Sequence, residues 1–159
     1  MHKCYQFGKT TTNDLACLLP GAVSWIAEQS TLITRIGLPL NDVQTAIAHS
    51  VGVAHPEKIR LLEAGAFPLP DDIELRKTAQ KSGLLSANMA GLTAGYGIYI
   101  RTGQTTLRLL SHEFRHVYQY EQAGSIANFL SVYLEQILTL GYQHAPLEID
   151  ARAHEILEC

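Results

Sequence analysis

Leu109-Leu110-Ser111-His112-Glu113-Phe114-Arg115-His116-Val117-Tyr118-Gln119 is the stretch on which the reading of this 159-residue chain turns. Leu107, Leu110, Phe114, Val117 and Tyr118 recur at helical spacing and mark one apolar face of a helix. His112 and His116 stand four apart, so on that helix they share a side, one turn above the other. Two neutral imidazoles placed in this way can hold one Zn²⁺. Glu113 projects about 100° around the helix from His112, close enough to act on an activated water without being a ligand. The HExxH pattern therefore predicts a zinc centre with Glu113 as general base.

The flanking segments give this helix a setting. Just upstream lies the Gly-rich run Met89-Ala90-Gly91-Leu92-Thr93-Ala94-Gly95-Tyr96-Gly97-Ile98-Tyr99-Ile100-Arg101. Its second half is rich in β-formers and ends at Thr102-Gly103, which predicts a hairpin with Gly97–Arg101 as the better strand. Helices are expected over residues 106–122, 125–140 and 146–157, separated by Gly124 and Gly141, with Pro146 in the first turn of the last. Farther upstream, a helix is expected over residues 22–35, ending near Gly37-Leu38-Pro39. Asn41 or Asp42 should cap a short helix through His49. Residues 58–63 are short enough for a strand. Pro68-Leu69-Pro70-Asp71-Asp72 should lead into a capped helix ending near Lys81, closed by Gly83. The first residues, through about 12 and at most 20, read as a loose terminus. The order predicts one α+β domain over residues 1–159, mostly helical, with a small antiparallel sheet or hairpin.

Composition narrows the function classes. Apolar residues make up 47% and charged residues 17%, with a formal net charge of −3. This is a folding composition without the basic footprint of a nucleic-acid binder. The cysteines (Cys4, Cys17 and Cys159) are odd in number and have no CxxC spacing, which argues against a disulfide framework and for a reducing, cytoplasmic setting. Residues 15–26 are apolar but interrupted by Pro20, a poor signal-peptide core. Residues 125–142 carry Asn128, Glu135 and Gln136, which fits a helix buried in protein better than one in a membrane.

A catalytic zinc needs a third protein ligand and an open position. An HExxHxxGxxH extension would require Gly at 119 and His at 122, but both positions hold Gln. Glu121 would sit about 13 Å along the helix from His112, too far to share an ion. The remaining candidates fall in His144-Ala145-Pro146-Leu147-Glu148-Ile149-Asp150-Ala151-Arg152-Ala153-His154-Glu155. Glu148 is favoured: it opens a helix, and small Ala145 and Ala151 beside it permit close approach to the histidine helix. Asp150, His144 and His154 stay open as alternatives. Glu148 and Asp150 project about 200° apart and cannot both face one metal. Trp25, Tyr118, Tyr120, Phe129 and Tyr133 read as core or rim aromatics.

From Met89 to Glu155 the chain resembles the gluzincin type of zincin metallopeptidase, in which HExxH is joined by a downstream helical Glu. The string HEFRHVYQYEQAGSIA is also similar to small bacterial HExxH proteins. The resemblance implies a zincin-like domain that hydrolyses a peptide or protein substrate. His112, His116 and Glu148 would bind Zn²⁺, and Glu113 would act as base and then proton donor. Gly97, Ile98, Tyr99 and Ile100 would form the edge strand along which substrate pairs, with Gly95 and Gly97 leaving room for it. One position departs from the pattern: Arg152 stands where many gluzincins have an Asp that orients a zinc histidine. That role then falls to Asp150 or a backbone carbonyl, and Tyr142, His144 and Arg152 are the candidates for stabilising an oxyanion. The alternative is a non-catalytic zinc-binding or interaction module on the same scaffold.

Overall fold

The structure is a computed structural model that describes residues 12–158. Its elements are α1 (Thr12–Ile36), β1 (Leu38–Pro39), α2 (Asp42–Ser50), β2 (Arg60–Ala64), α3 (Ile73–Lys81), β3 (Gly91–Ala94), β4 (Gly97–Arg101), α4 (Leu107–Ala123), α5 (Ile126–Leu140) and α6 (Pro146–Ala153). The α+β, mostly helical architecture agrees with the sequence reading. Asn41, Asp72, Thr106 and Ser125 cap α2, α3, α4 and α5 by accepting an otherwise unpaired amide of the first turn.

Two helix boundaries differ from expectation. α1 starts ten residues before residue 22, at Thr12, and carries Pro20 inside it. Pro20 and Gly21 face solvent, so the carbonyl that loses its amide donor lies on the exposed side of the helix. The expected loose terminus is therefore helical from residue 12, and its residues 1–11 lie outside the described part. α6 ends at Ala153 rather than 157, where the His154 amide turns back onto the Ala151 carbonyl. Cys17 is disulfide-bonded, contrary to the expectation of reduced thiols, and Cys4 and Cys159 lie outside the described residues.

The sheet is mixed rather than antiparallel, with strand order β1-β2-β4-β3. β3 and β4 form the expected hairpin, Leu92 opposite Tyr99, but β2 runs parallel to β4 on its other side, Leu62 opposite Tyr99. Gly97, Ile98, Tyr99 and Ile100 therefore occupy a central strand, paired on both sides, and are not the edge along which a peptide could add. Each is buried. Gly97 serves packing instead: a Cβ there would lie 2.8 Å from the Ile33 Cβ of α1. β3 is the edge on this side.

β4 divides the core. Ile98 and Ile100 pack with Ile59, Leu110, Phe114 and Val117, joined by Ala48 and Val51 from α2 and its C-terminal end. Tyr99 points the opposite way, among Ile26, Ile33, Phe129 and Leu130. This alternation is the pleat of a strand covered on both faces. α4 is buried over most of its circumference. Its Leu110–Phe114–Val117 stripe holds it against the first core, which leaves His112 and His116 on the far side, facing α6.

Candidate metal centre

The three sequence-predicted ligands come together. His112 Nε2 and His116 Nε2 lie 3.2 Å apart. Glu148, in the first turn of α6, sets Oε2 3.3 Å from His112 Nε2 and Oε1 3.2 Å from His116 Nε2. A tetrahedral ion bound at about 2.0–2.1 Å spaces its ligand atoms about 3.3 Å apart, so these separations fit zinc. Glu148 is only 1% exposed. Asp150, His144 and His154, the open alternatives, do not join the cluster; among the described residues it consists of His112, His116 and Glu148.

The outer partners decide which atoms point inward. Gln119 places its amide nitrogen 2.8 Å from both the Leu147 carbonyl and Asp150 Oδ2, two groups that can only accept. Its oxygen must then face His116 Nδ1, 2.8 Å away, so that nitrogen carries the proton. His112 Nδ1 lies 2.9 Å from Glu155 Oε1 and donates to it for the same reason. Both Nε2 atoms are thereby left as lone pairs aimed at one another and at a carboxylate. Glu148 Oε2 is buried with no hydrogen-bond donor, while Oε1 accepts from Tyr133 at 2.7 Å. With both imidazoles neutral, three lone-pair donors converge on one point. A cation satisfies that arrangement, and the residues present fit Zn²⁺.

The electrostatics agree. Burial by itself would lower both histidine pKa values, but the Glu148 and Glu113 carboxylates outweigh it and raise them, His112 to about 9. Burial would raise Glu148, yet the two imidazoles and the Tyr133 hydroxyl hold its carboxyl well below the usual range. Cationic charge is favoured at this point, whether a proton or a metal supplies it.

Glu113 adjoins the cluster without entering it. Its Oε2 accepts a 2.6 Å hydrogen bond from the Thr93 hydroxyl of β3. Gly91, two residues earlier, makes that approach possible: a Cβ there would sit 2.6 Å from Glu113 Oε1 and 2.8 Å from its Cδ. The hairpin glycine thus gives the Glu113 side chain its space.

The outer shell is where sequence reasoning fell short. Asp150 does take part, but through Gln119 rather than on a histidine directly. Its carboxylate is fixed by Arg115 at 2.8 and 3.1 Å. Glu155, which orients His112 and is itself bound by Arg108 at 2.6 Å, was not singled out. Thr93 carries no such signal in the sequence, Tyr133 reads there as a core aromatic, and Gln119 reads only as the residue that excludes a His-extended motif. The residues after α6 act as a clasp: the Ile156 amide donates to Ser111 Oγ, and Glu158 accepts from the Leu107 amide at the start of α4. Of the oxyanion candidates, Tyr142 borders the site, with its pKa raised by burial and by the nearby Glu148. His144 is exposed, and Arg152 is engaged with the Gln143 carbonyl.

No family model, curated protein or solved structure matches this chain.

Proposed function

We propose that this protein is a zinc-dependent hydrolase acting on peptide bonds, a small zincin of the gluzincin type. The observation that carries the reading is the convergence of His112 Nε2, His116 Nε2 and the partnerless Glu148 Oε2, beside a carboxylate, Glu113, that is not needed to hold the ion. Bound by these three residues, zinc would supply Lewis acidity, bringing the pKa of a water toward about 7 and polarising a carbonyl.

The protein's own groups provide the rest. Glu113 takes the proton of the attacking water and passes it to the leaving amine. The Thr93 hydroxyl holds one Glu113 oxygen, so the other is free for that transfer. Tyr142, which lies beside Glu148 and Glu113, would donate a hydrogen bond to the oxygen on which negative charge develops. The peptide itself would pair with the edge of β3. The Ala90 carbonyl accepts from the Arg101 amide and Leu92 stands opposite Tyr99, so by strand alternation Gly91 turns its backbone groups outward, whereas the Thr93 carbonyl is already taken by the Tyr120 hydroxyl. An extended chain can add there and bring its carbonyl to the site.

The test is cleavage of a peptide library by zinc-loaded protein and by Glu113→Gln. Cleavage by the first and its loss in the second, with zinc content unchanged, supports the reading. Equal cleavage by both removes Glu113 from the mechanism, and cleavage by neither favours a non-catalytic zinc module.

A further inference from the structure

We infer that the substrate is amphipathic at the bond that is broken, with a bulky apolar group on one side seated in a pocket between α1, α3 and α5. This rests on the hydrolase reading above. Two cavities meet at the metal centre, and both are bounded by Met89, Gly91, His112, Glu113 and Tyr142. The first is walled by side chains such as Trp25, Ile26, Leu75, Leu85, Phe129 and Leu130. The second is lined by Ser86, Asn88, Gln104, Thr106 and Arg108. A reacting group at the centre must send one substituent into each.

The apolar cavity is poor in polar groups, with the Trp25 indole N–H and the Tyr142 hydroxyl at its wall. Its only charged or ionisable lining besides tyrosine belongs to the centre itself: His112, Glu113, His116 and Glu148. The Tyr133 hydroxyl is committed to Glu148, and that of Tyr120 faces the Thr93 carbonyl at 3.4 Å. A polar substituent would lose its water there and find few partners, whereas an apolar one gains about threefold to fourfold in affinity per buried methylene. The polar cavity, with Arg108 at its wall, suits the remainder of a peptide chain. Two kinds of molecule carry such an apolar group, an apolar amino-acid side chain and a fatty acyl chain.

Hydroxamates, which bind zinc directly, separate the possibilities on the zinc-loaded protein. One series runs from acetohydroxamate to octanohydroxamate, and a second carries isobutyl or benzyl groups. Trp25 is the chain's only tryptophan and lines the pocket, so its emission reports occupancy. The expected result is affinity rising about threefold per methylene until the pocket fills, with a change in Trp25 emission that acetohydroxamate does not produce. A larger gain in the linear series assigns an acyl chain, and a larger gain in the branched and benzyl series assigns a side chain. Ala79→Phe, on the half-exposed α3 wall of the pocket, should flatten the dependence while leaving zinc content and acetohydroxamate affinity unchanged. Affinity independent of chain length on zinc-loaded wild type, or the full dependence retained in Ala79→Phe, would overturn the inference. Failure of the wild type to bind zinc would instead remove the hydrolase reading beneath it.

Discussion

Glu121, in the last turn of α4, and Glu148, in the first turn of α6, are both drawn into the protein, but they are treated in opposite ways. Glu121 accepts from the Ala54 and His55 amides at 2.8 and 3.0 Å and from the Tyr96 hydroxyl at 3.0 Å. Burial, reinforced by that carboxylate, pushes Tyr96 up to about 12, so it stays a donor at any ordinary pH. Each Glu121 oxygen faces a hydrogen, and the side chain ties the α2–β2 connection to the helix. Glu148 is more deeply buried, yet one of its oxygens faces the Nε2 edge of an imidazole, which offers it a lone pair when neutral. A carboxylate surrounded by donors is a structural tie. One surrounded by acceptors is half of a cation site.

Exchanging the two carboxylates should separate their roles by the widest margin. Glu148→Ala is expected to reduce zinc affinity by more than the roughly 10–100-fold that loss of an outer partner costs, and to abolish cleavage with it. Glu121→Ala should leave zinc binding at its wild-type level and cost about 1–2 kcal/mol of stability by freeing two amides and a phenol. Chelator competition and denaturant melts read the two quantities independently. A Glu121→Ala protein that loses zinc would erase the distinction.

Glu113→Gln comes next in size. It should keep zinc and fold while cleavage falls about 10²–10⁴-fold, because an amide cannot take up the proton. Glu155→Gln and Asp150→Asn act one step farther out and should each weaken zinc about 10–100-fold by loosening His112 and His116 respectively. If Asp150→Asn were silent, the chain from Arg115 through Asp150 and Gln119 to His116 would be packing rather than orientation.

The smallest effect concerns pH. In the metal-free protein the folded-state His112 pKa stands at about 9 against an unfolded value of 6.5. The folded state therefore holds the extra proton, so this contribution to stability is complete below about pH 6.5 and is lost as pH rises through about 9. Zinc needs the neutral imidazole, so its contribution falls as the pH drops. Melting temperatures of metal-free and zinc-loaded protein between pH 6 and 9.5 should have opposite slopes. Parallel curves would separate His112 from the metal.

The difference between the legible and illegible parts of this molecule follows from how far each feature reaches along the chain. The α4 helix, its histidine pair, the caps at Asn41 and Asp72, and Glu148 in a first turn are local patterns, and the sequence displayed them directly. Strand partners are not local. Gly97–Arg101 reads as an edge because the turn at Thr102-Gly103 leads almost directly into the histidine helix, although the unbroken run Ile98-Tyr99-Ile100 is what a strand covered on both faces carries. The role of Glu155 exists only once α6 stops at Ala153 and the chain folds back on α4, and that of Gln119 only once α6 packs against α4. Tyr133 looks like any other aromatic on α5 until Glu148 arrives beneath its hydroxyl.

The central claim is that three lone pairs converge on a cation, and the most direct measurement is metal content. Protein prepared without a metal-affinity tag and exposed to zinc should retain one zinc per chain after desalting, and His116→Ala, prepared alongside, should retain none. No retained zinc in the wild type, or equal zinc in the two proteins, would contradict the account.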